Sequence, residues 1–404
     1  MIASDGVRPK KRLAIVATHP IQYYSPWFRH IASLGHVAIR VFYLWDYGVE
    51  ARFDTGFRQP VQWDIPLLSG YDYEFVLNTS TRPGTHHFLG LRNPSLLHRV
   101  KQYDPHAVLV IGYNFAALLY LIFRWPRDAA PLLFRGDSHR LVKRGGAKEA
   151  VRRRLISAVY RRFAAILTVG SANHDYFRYH GVPEHKLWRA PHAVDNERFL
   201  SDAAGSAEAA AEWRRELGIP EDERVILFAG KLERGKRPDD LLSAFLQLDL
   251  PRLSLLFVGS GTLEAELRAS AAGHAHVFFA PFQNQSRMPR TYCAGDVFVL
   301  PSASANETWG LAVNEAMCMS LPVIVSDLVG CAQDLVRPHE NGLVFRAGDV
   351  NALRDCLAVA FADGLRLKAW GLRSREIVED YNYQRASAGL MAALTRLGVS
   401  APAE

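Results

Sequence analysis

The sequence predicts an α/β protein in which two doubly wound parallel sheets face each other across a cleft. Three observations support this: a length of 404 residues, two series of alternating strand-like and helix-like segments, and glycine-containing loops after strands of the second series. A chain of this length exceeds one ordinary hydrophobic core, so two domains of about 200 residues each are expected. Alternating strands and helices favour a parallel sheet with helices on both faces.

Short apolar runs mark the strands of the first half, and helix-like sequence follows them. The series opens with a strand at Leu13–Ala17, a helix at Pro26–Leu34 and a strand at Ala38–Leu44. Further strands are predicted at Ala107–Ile111, Pro131–Phe134 and Ala165–Val169.

One segment of the first half has the composition of a membrane span. His106 to Phe123 contains 18 residues without Asp, Glu, Lys or Arg. Gly112 interrupts it at the point where a strand would turn into a helix, and glycine there is typical of a loop. We therefore interpret the segment as a buried strand followed by a buried helix.

The second half repeats the strand and helix pattern and then ends in helices. Its predicted strands are Arg224–Gly230, Leu253–Gly259, His276–Phe279, Val297–Leu300 and Val323–Val325. Between the halves, Ser201–Trp213 is rich in Ala, Ser and Glu and is predicted to be a joining segment with little to bury. The predicted division is a first domain at 1–198, a linker at 199–222 and a second domain at 223–404.

Charge is distributed unevenly between the halves. Residues 1–198 carry 28 Lys and Arg against 15 Asp and Glu, whereas the remainder carries 20 against 26, giving the net charge of +7. A basic first half suggests an anionic partner: phospholipid headgroups, a lipid-linked phosphate or nucleic acid. The four cysteines lack C-x-x-C spacing, which favours reduced thiols in a cytoplasmic protein.

A basic, amphipathic helix is predicted over residues 147–163. One face carries Val151, Leu155, Ile156, Val159 and Phe163, while the basic residues lie largely elsewhere. Two interpretations remain open. The helix packs on the domain through its apolar stripe, or its basic residues contact anionic lipid on the inner face of the plasma membrane.

The most informative motif contains two glutamates separated by seven residues. Glu307 follows the polar loop Ser302–Asn306, and Glu315 lies in the predicted helix that begins near Gly310. Free backbone N–H groups at such a helix start favour a phosphate, and carboxylates bind sugar hydroxyls. The alternative is that one glutamate complements the helix dipole and the other lies on a solvated face.

This motif, together with Leu321–Ser326 behind it, resembles the large family of GT-B fold, nucleotide-sugar-dependent retaining glycosyltransferases, glycosyltransferase family 4 or glycosyl transferases group 1. The resemblance implies two Rossmann-like domains. It also implies that Glu307 contacts the transferred sugar, that Glu315 contacts the ribose, and that Gly310 and Leu311 contact the donor.

A basic loop follows the first strand of the second half. Gly230 and Lys231 begin it and Lys236 ends it, so two ammonium groups lie five residues apart at the carboxyl end of a strand. This placement suits a diphosphate, although a solvated basic loop is the alternative. In the family a basic pair contacts the donor diphosphate here, and Lys231 stands where arginine is more frequent.

Gly259 and Gly261 follow the next strand. They begin a dinucleotide-type glycine motif, but Glu264 occupies the place of its third glycine. The resemblance implies that the two glycines lie near the nucleotide; a tight turn without ligand contact is the alternative.

The remaining candidates lie in the first half. His139 resembles the family's cleft histidine, which contacts the transferred sugar, and Asp137 is an alternative polar group. The loop after the first strand lacks the family's glycine-rich turn, so its His19, Gln22 and Tyr23 are predicted on the acceptor side. Pro191–Asp195 matches a family segment except at two positions and is interpreted as structural.

Together these features predict a cytoplasmic retaining glycosyltransferase that moves a sugar from a nucleoside diphosphate sugar to a sugar or lipid-linked acceptor in cell-surface polysaccharide, lipopolysaccharide or glycolipid synthesis. The donor is a substrate, so no cofactor is expected, and without an Asp-x-Asp sequence no metal is expected. The alternatives are a nucleotide-sugar epimerase, a phosphorylase, a dehydrogenase or a non-enzymatic binding protein that uses the basic first half. Nucleic acid is not expected as a partner because the second half is acidic.

Overall fold

The computed structural model of the chain describes residues 10–54, 56–142 and 145–400. In chain order, its strands are β1 (Arg12–Ala17), β2 (Ala38–Tyr43), β3 (Arg52–Asp54), β4 (Gln59–Val61), β5 (Asp72–Phe75), β6 (Ala107–Ile111), β7 (Leu132–Arg135), β8 (Ala165–Thr168), β9 (Leu187–Arg189), β10 (Arg224–Ala229), β11 (Leu253–Val258), β12 (Val277–Ala280), β13 (Val297–Leu300), β14 (Val323–Ser326) and β15 (Gly342–Phe345).

The α-helices are α1 (Ser25–Leu34), α2 (Leu96–Gln102), α3 (Ala116–Arg124), α4 (Ala147–Tyr160), α5 (Ser171–Tyr179), α6 (Asn196–Leu200), α7 (Ala203–Glu216), α8 (Pro238–Leu246), α9 (Glu264–Ser270), α10 (Met288–Cys293), α11 (Leu311–Cys318), α12 (Ala332–Leu335), α13 (Val350–Phe361), α14 (Gly364–Val378) and α15 (Tyr383–Arg396). Short 3₁₀ turns occupy Phe88–Gly90, Glu184–Lys186 and Gln285–Arg287.

Two parallel sheets form the cores of the two domains, which confirms the predicted fold class. The first has the strand order β5-β2-β1-β6-β7-β8-β9 and the second has the order β12-β11-β10-β13-β14-β15. Their central strands are buried on both faces, so they appear in the sequence as continuous apolar runs. The edge strands β5 and β9 contain polar residues and were not predicted from the sequence.

Each sheet has a point where the strand order reverses direction. In the first sheet β1 lies between β2 and β6, and in the second β10 lies between β11 and β13. Loops that leave the carboxyl ends of strands on either side of such a point diverge and leave a crevice between them. The loops after β1, β10 and β13 carry most of the predicted site residues.

The joining segment and the last helix differ from the sequence-based expectation. Segment 201–213 was expected to have little to bury, but it forms most of α7, which buries Ala210 and Trp213 in the core of the second domain. The last helix, α15, was assigned to the second domain. It packs instead on α1 and β9, and Leu390 and Leu394 are buried in the core of the first domain. The sequence of an amphipathic helix indicates which face is buried, but it does not indicate which domain covers that face.

Segment 106–123 forms β6 and α3, as predicted. Across residues 10–54, 56–142 and 145–400, the structure has no helix with the length and hydropathy of a membrane span.

The amphipathic helix α4 packs on the domain through part of the predicted stripe. Ile156, Val159 and Phe163 are buried, whereas Val151 is 59% exposed and Leu155 is 65% exposed. The expectation that all five residues pack together was therefore wrong for Val151 and Leu155. They lie on the same helical face as each other but away from the face that meets the first domain.

Candidate active site in the interdomain cleft

A cavity of about 380 Å³ lies between the domains at the carboxyl ends of the central strands. The predicted residues that line it are Gln22, Tyr23, Gly230, Lys231, Lys236, Gly259, Glu307, Gly310, Leu311 and Glu315. They come from four separate loops and one helix, which the two parallel sheets bring to a common edge.

Lys236 and Glu307 form an ion pair in the cavity wall. Ser302 Oγ also donates a hydrogen bond to Glu307 Oε2, at 2.7 Å. The carboxylate is only 9% exposed, and its two partners come from the loop after β10 and the loop after β13. This arrangement places a fixed cation and a fixed acceptor side by side on the cavity surface, as binding of a phosphate next to a sugar hydroxyl would require.

Gly310 is the residue immediately before α11. Its φ of +93° lies in the left-handed region, and an added Cβ would stand 2.8 Å from Val329 Cγ1 and 3.1 Å from Leu300 Cδ2. Glycine thus allows the chain to turn sharply from the Glu307 loop into the helix. The first residues of α11, Leu311 and Ala312, line the cavity, so the positive end of the helix dipole faces it.

Glu315 lies one turn into α11 and is 2% exposed. Tyr292 Oη donates a hydrogen bond to its Oε2 at 2.7 Å, while Oε1 has no hydrogen-bond partner among the described residues. Burial raises the pKa of the Glu315 carboxyl above its ordinary value, although Tyr292 opposes the shift. Glu315 lines the cavity, and a buried carboxylate oxygen without a partner is suited to accept a hydrogen bond from a ligand hydroxyl.

The two glycine-containing loops pack directly on each other. A Cβ on Gly259 would lie 2.0 Å from the carbonyl oxygen of Gly230, and one on Gly261 would lie 2.4 Å from the carbonyl oxygen of Leu232. Gly259 and Gly230 line the cavity, whereas the space around Gly261 is filled by backbone. The turn that contains Gly259 and Gly261 therefore packs against the loop after β10, whether or not a ligand is bound.

On the first-domain side, Asp137 and His192 line the cavity. Thr308 Oγ1 donates a 2.6 Å hydrogen bond to Asp137 Oδ2, and His192 Nε2 lies 3.8 Å from the same oxygen. Burial raises the pKa of Asp137, but His192 and Thr308 outweigh it and lower the pKa to about 2. His139 lies outside the lining, with Nε2 3.3 Å from the backbone oxygen of Glu307.

These positions favour Asp137 over His139 as the polar group at the cavity. His192 was interpreted from the sequence as structural, yet it reaches the cavity beside Asp137. A single histidine in a loop after a strand gives no sequence signal of this kind.

The loop after β1 divides between the cavity and the domain interior. Gln22 and Tyr23 line the cavity, and the Tyr23 backbone oxygen accepts a 3.0 Å hydrogen bond from Tyr383 Oη. Burial and the nearby Glu315 carboxylate raise the pKa of Tyr23. His19 instead packs edge-on against Tyr47, with ring centroids 5.4 Å apart, and burial lowers its pKa to about 4.

Tyr23 therefore lies beside the predicted ribose residue, although it was predicted on the acceptor side. The sequence alone could not show this, because the contact joins a loop of the first domain to a helix of the second.

Lys231 meets a residue that sequence reasoning missed. Its Nζ lies 3.0 Å from Asp54 Oδ1, and Asp54 belongs to β3 of the first domain. Phe57 and Trp63, from the same part of the chain, also line the cavity. In the described residues, no group of three or more His, Cys, Asp or Glu side chains is placed to hold a metal ion.

A comparison with protein families finds a match that covers most of the second domain. The family model of glycosyl transferases group 1 matches residues 209–377. The match includes the motif around Glu307 and Glu315, and we call the matched residues 209–377 the group 1 domain. The group 1 domain contains the loops after β10 and β13 and all of α11, so it provides the second-domain wall of the cavity.

The curated relatives include a D-inositol 3-phosphate glycosyltransferase of Xylanimonas cellulosilytica, which is 29% identical over 223 residues. That match covers 54% of this chain and 53% of the relative, so the chain spans about half the length of the curated relatives it matches.

Solved structures resemble the whole chain in fold. Sucrose-phosphate synthase from Thermosynechococcus elongatus has a TM-score of 0.70 at 19% identity, covering 96% of this chain and 99% of that chain. The Anabaena protein HepE, in complex with UDP and glucose, has a TM-score of 0.69 at 16% identity, covering 96% and 100%. The chain therefore has the GT-B fold.

Proposed function

We propose that the protein is a retaining glycosyltransferase that moves a sugar from a nucleoside diphosphate sugar to an acceptor hydroxyl. The observation that carries this proposal is the cavity that collects Lys231, Lys236, Glu307 and Glu315 at the edge of the group 1 domain. Two cations suit a diphosphate, and two buried carboxylates suit hydroxyl groups at opposite ends of the same ligand.

The donor would lie with its diphosphate near Lys236, Lys231 and the first turn of α11. Its ribose hydroxyls would reach the unpaired Oε1 of Glu315, and its sugar would contact Glu307. The described complex of HepE with UDP and glucose supports UDP-sugars as the first donors to test.

Transfer with retention would proceed on one face of the sugar, as the family resemblance implies. The acceptor oxygen forms a bond to the anomeric carbon while the bond from that carbon to the diphosphate oxygen breaks. The acceptor proton passes to an oxygen of the leaving diphosphate. Lys231, Lys236 and the helix start would stabilise the negative charge that develops there.

The acceptor we propose is a sugar or a lipid-linked sugar used for cell-surface polysaccharide, lipopolysaccharide or glycolipid. We also propose that the protein is cytoplasmic and binds the inner face of the plasma membrane peripherally, and the excess of Lys and Arg in the first half supports contact with anionic lipid. On α4, the exposed Val151 and Leu155 lie among Arg152, Arg153 and Arg154. Apolar side chains beside cations favour an anionic lipid surface.

Incubation with a panel of radiolabelled nucleoside diphosphate sugars and exogenous acceptors tests the proposal. Labelled product with the donor's anomeric configuration, together with release of the nucleoside diphosphate, is the expected result. Conversion of one nucleotide sugar into another without transfer would indicate an epimerase instead. Failure to transfer from any donor, while the protein remains folded, would contradict the proposed function.

A further inference from the structure

A first-domain segment crosses the cleft and covers the loops of the group 1 domain. This cross-cleft segment comprises residues 46–54 and 56–64, and its strands β3 and β4 pair with each other rather than with the main sheet. Ser260 Oγ donates a hydrogen bond to the Phe57 backbone oxygen at 2.7 Å, and the Ser286 backbone N–H donates one to Asp64 Oδ1 at 3.0 Å. The segment is thus docked on the second domain at two separate loops.

Three residues before the first of these anchors, Asp54 contacts Lys231. The Lys231 Nζ lies 3.0 Å from Oδ1 and 3.4 Å from Oδ2, and 4.8 Å from the centre of the Phe57 ring. Gly56 permits this approach, since a Cβ there would stand 2.4 Å from the Lys231 Nζ. Both Asp54 and Lys231 line the cavity.

The Asp54 carboxylate is held in place by backbone N–H groups of the turn that follows it. The N–H groups of Gly56 and Phe57 donate hydrogen bonds of 2.8 and 2.9 Å to Oδ1, and Tyr47 Oη donates one of 3.1 Å to Oδ2. Partial burial raises the pKa of Asp54, but the Phe57 N–H and Lys231 outweigh it and hold the pKa below its ordinary value. The carboxylate is ionised and already oriented towards Lys231.

A carboxylate and a phosphate compete for the same ammonium group, because both are anionic oxygen acceptors. We infer that Asp54 exchanges with the diphosphate of the nucleotide on Lys231, and so sets the affinity for the donor and speeds release of the nucleoside diphosphate product. This inference rests on the proposed function. It adds to the proposed function a first-domain residue, Asp54, that opposes binding of the nucleotide diphosphate.

Two of the contacts that dock the segment do not involve the ion pair. The hydrogen bonds of Ser260 to Phe57 and of Ser286 to Asp64 use neither Asp54 nor Lys231, so we expect them to persist when Asp54 releases Lys231. The diphosphate can therefore take over Lys231 while the cross-cleft segment stays in place.

Asp54→Asn tests the exchange. The amide oxygen of asparagine still accepts from the Gly56 and Phe57 N–H groups, so the turn is preserved while the charge is removed. We expect the Kd to fall roughly fivefold for whichever of UDP, GDP and ADP binds the unmodified protein most tightly, with a slower dissociation rate. Isothermal titration and stopped-flow displacement measure the two quantities.

Two further variants separate exchange from loosening of the segment. In a Lys231→Ala background, Asp54→Asn should give no gain in affinity. Asp64→Asn removes a charge from the same segment without freeing a lysine, and should also give no gain. If Asp54→Asn does not fold, Asp54→Ser, which retains a hydroxyl acceptor, replaces it.

Unchanged or weaker nucleotide binding by Asp54→Asn would overturn the inference, and so would an equal gain in Asp64→Asn. In either case transfer by the unmodified protein would leave the proposed function standing. Absence of binding of all three diphosphates to every variant, together with failure to transfer from any donor of the panel, would remove both.

Discussion

Lys236 and Glu307 lie 71 residues apart in the sequence and form an ion pair in the wall of the interdomain cavity. Their loops follow β10 and β13, which are neighbours at the point where the strand order of the second sheet reverses. A parallel sheet directs both loops to the same crevice, so the pair is a direct consequence of the topology. The topology of the sheet therefore positions the two charged side chains that we propose to bind the donor.

Glu307→Ala and Lys236→Ala should each lower kcat for sugar transfer by about 100-fold or more, because each removes a group that we propose to contact the donor near the reacting bond. Thermal unfolding should change little in Glu307→Ala, since Lys236 is partly exposed and retains access to water. Lys236→Ala should unfold at a lower temperature, because it leaves the buried Glu307 carboxylate without its cation. Steady-state kinetics and calorimetry measure the two effects.

Arg234→Ala is the matched control for these two variants. Arg234 lies on the same basic loop, but its side chain is largely exposed. Its transfer rate should remain within about twofold of normal. Near-normal turnover in Glu307→Ala or Lys236→Ala would remove our assignment of the site.

The sequence was sufficient to predict these loops because the strands before them are continuous apolar runs of the central sheet. The contact between Asp54 and Lys231 could not be predicted in the same way. β3 and β4 have three residues each and are partly exposed, so they carry no clear alternation. Likewise, the family resemblance indicated His139 and not His192, and only the path of the loops shows that His192 lies in the cavity wall beside Asp137.

Glu315→Gln should raise the Kd for the nucleoside diphosphate by roughly 10- to 100-fold. The amide retains an oxygen for Tyr292 but loses the charge that strengthens a hydrogen bond to a ribose hydroxyl. Isothermal titration measures the change. A Kd equal to that of the unmodified protein would show that the unpaired Oε1 does not contact the ligand.

The same variant should change the pH dependence of stability. The folded pKa of Glu315 is raised above 4.5, so between pH 4.5 and that pKa the folded protein holds a proton that the unfolded chain has released. Stability of the unmodified protein relative to Glu315→Gln should therefore fall as pH rises through this interval and level off above it. Urea unfolding of both proteins from pH 4.5 to 8 measures this difference, and a constant difference would contradict the raised pKa.

Gly259→Ala should lower the free energy of unfolding by about 3 kcal/mol or more, because the new Cβ would lie 2.0 Å from the Gly230 backbone oxygen. Gly273→Ala is the control: it also has a positive φ, but apart from its chain neighbours no described residue lies within 4 Å of an added Cβ, so it should cost about 1 kcal/mol. Equal losses in chemical denaturation would mean that the two loops move apart without penalty.

Replacing Val151 and Leu155 together by serine should reduce binding to vesicles that contain anionic phospholipid, because the apolar contacts beside the arginines are lost. Stability should not fall, since both side chains are exposed. Leu365 and Leu372 on α14 are similarly exposed in the second domain, and their replacement by serine is the matched control. Co-sedimentation that is unchanged by the α4 variant would leave this helix with a packing role alone.

We propose that one interdomain cavity binds an activated sugar through side chains of the group 1 domain. A crystal structure of the protein with its preferred nucleoside diphosphate would show whether it does. We expect phosphate oxygens within hydrogen-bonding distance of Lys236 Nζ and the Leu311 N–H, with a ribose hydroxyl on Glu315. A nucleotide bound elsewhere, with Lys236 and Glu315 untouched, would contradict it.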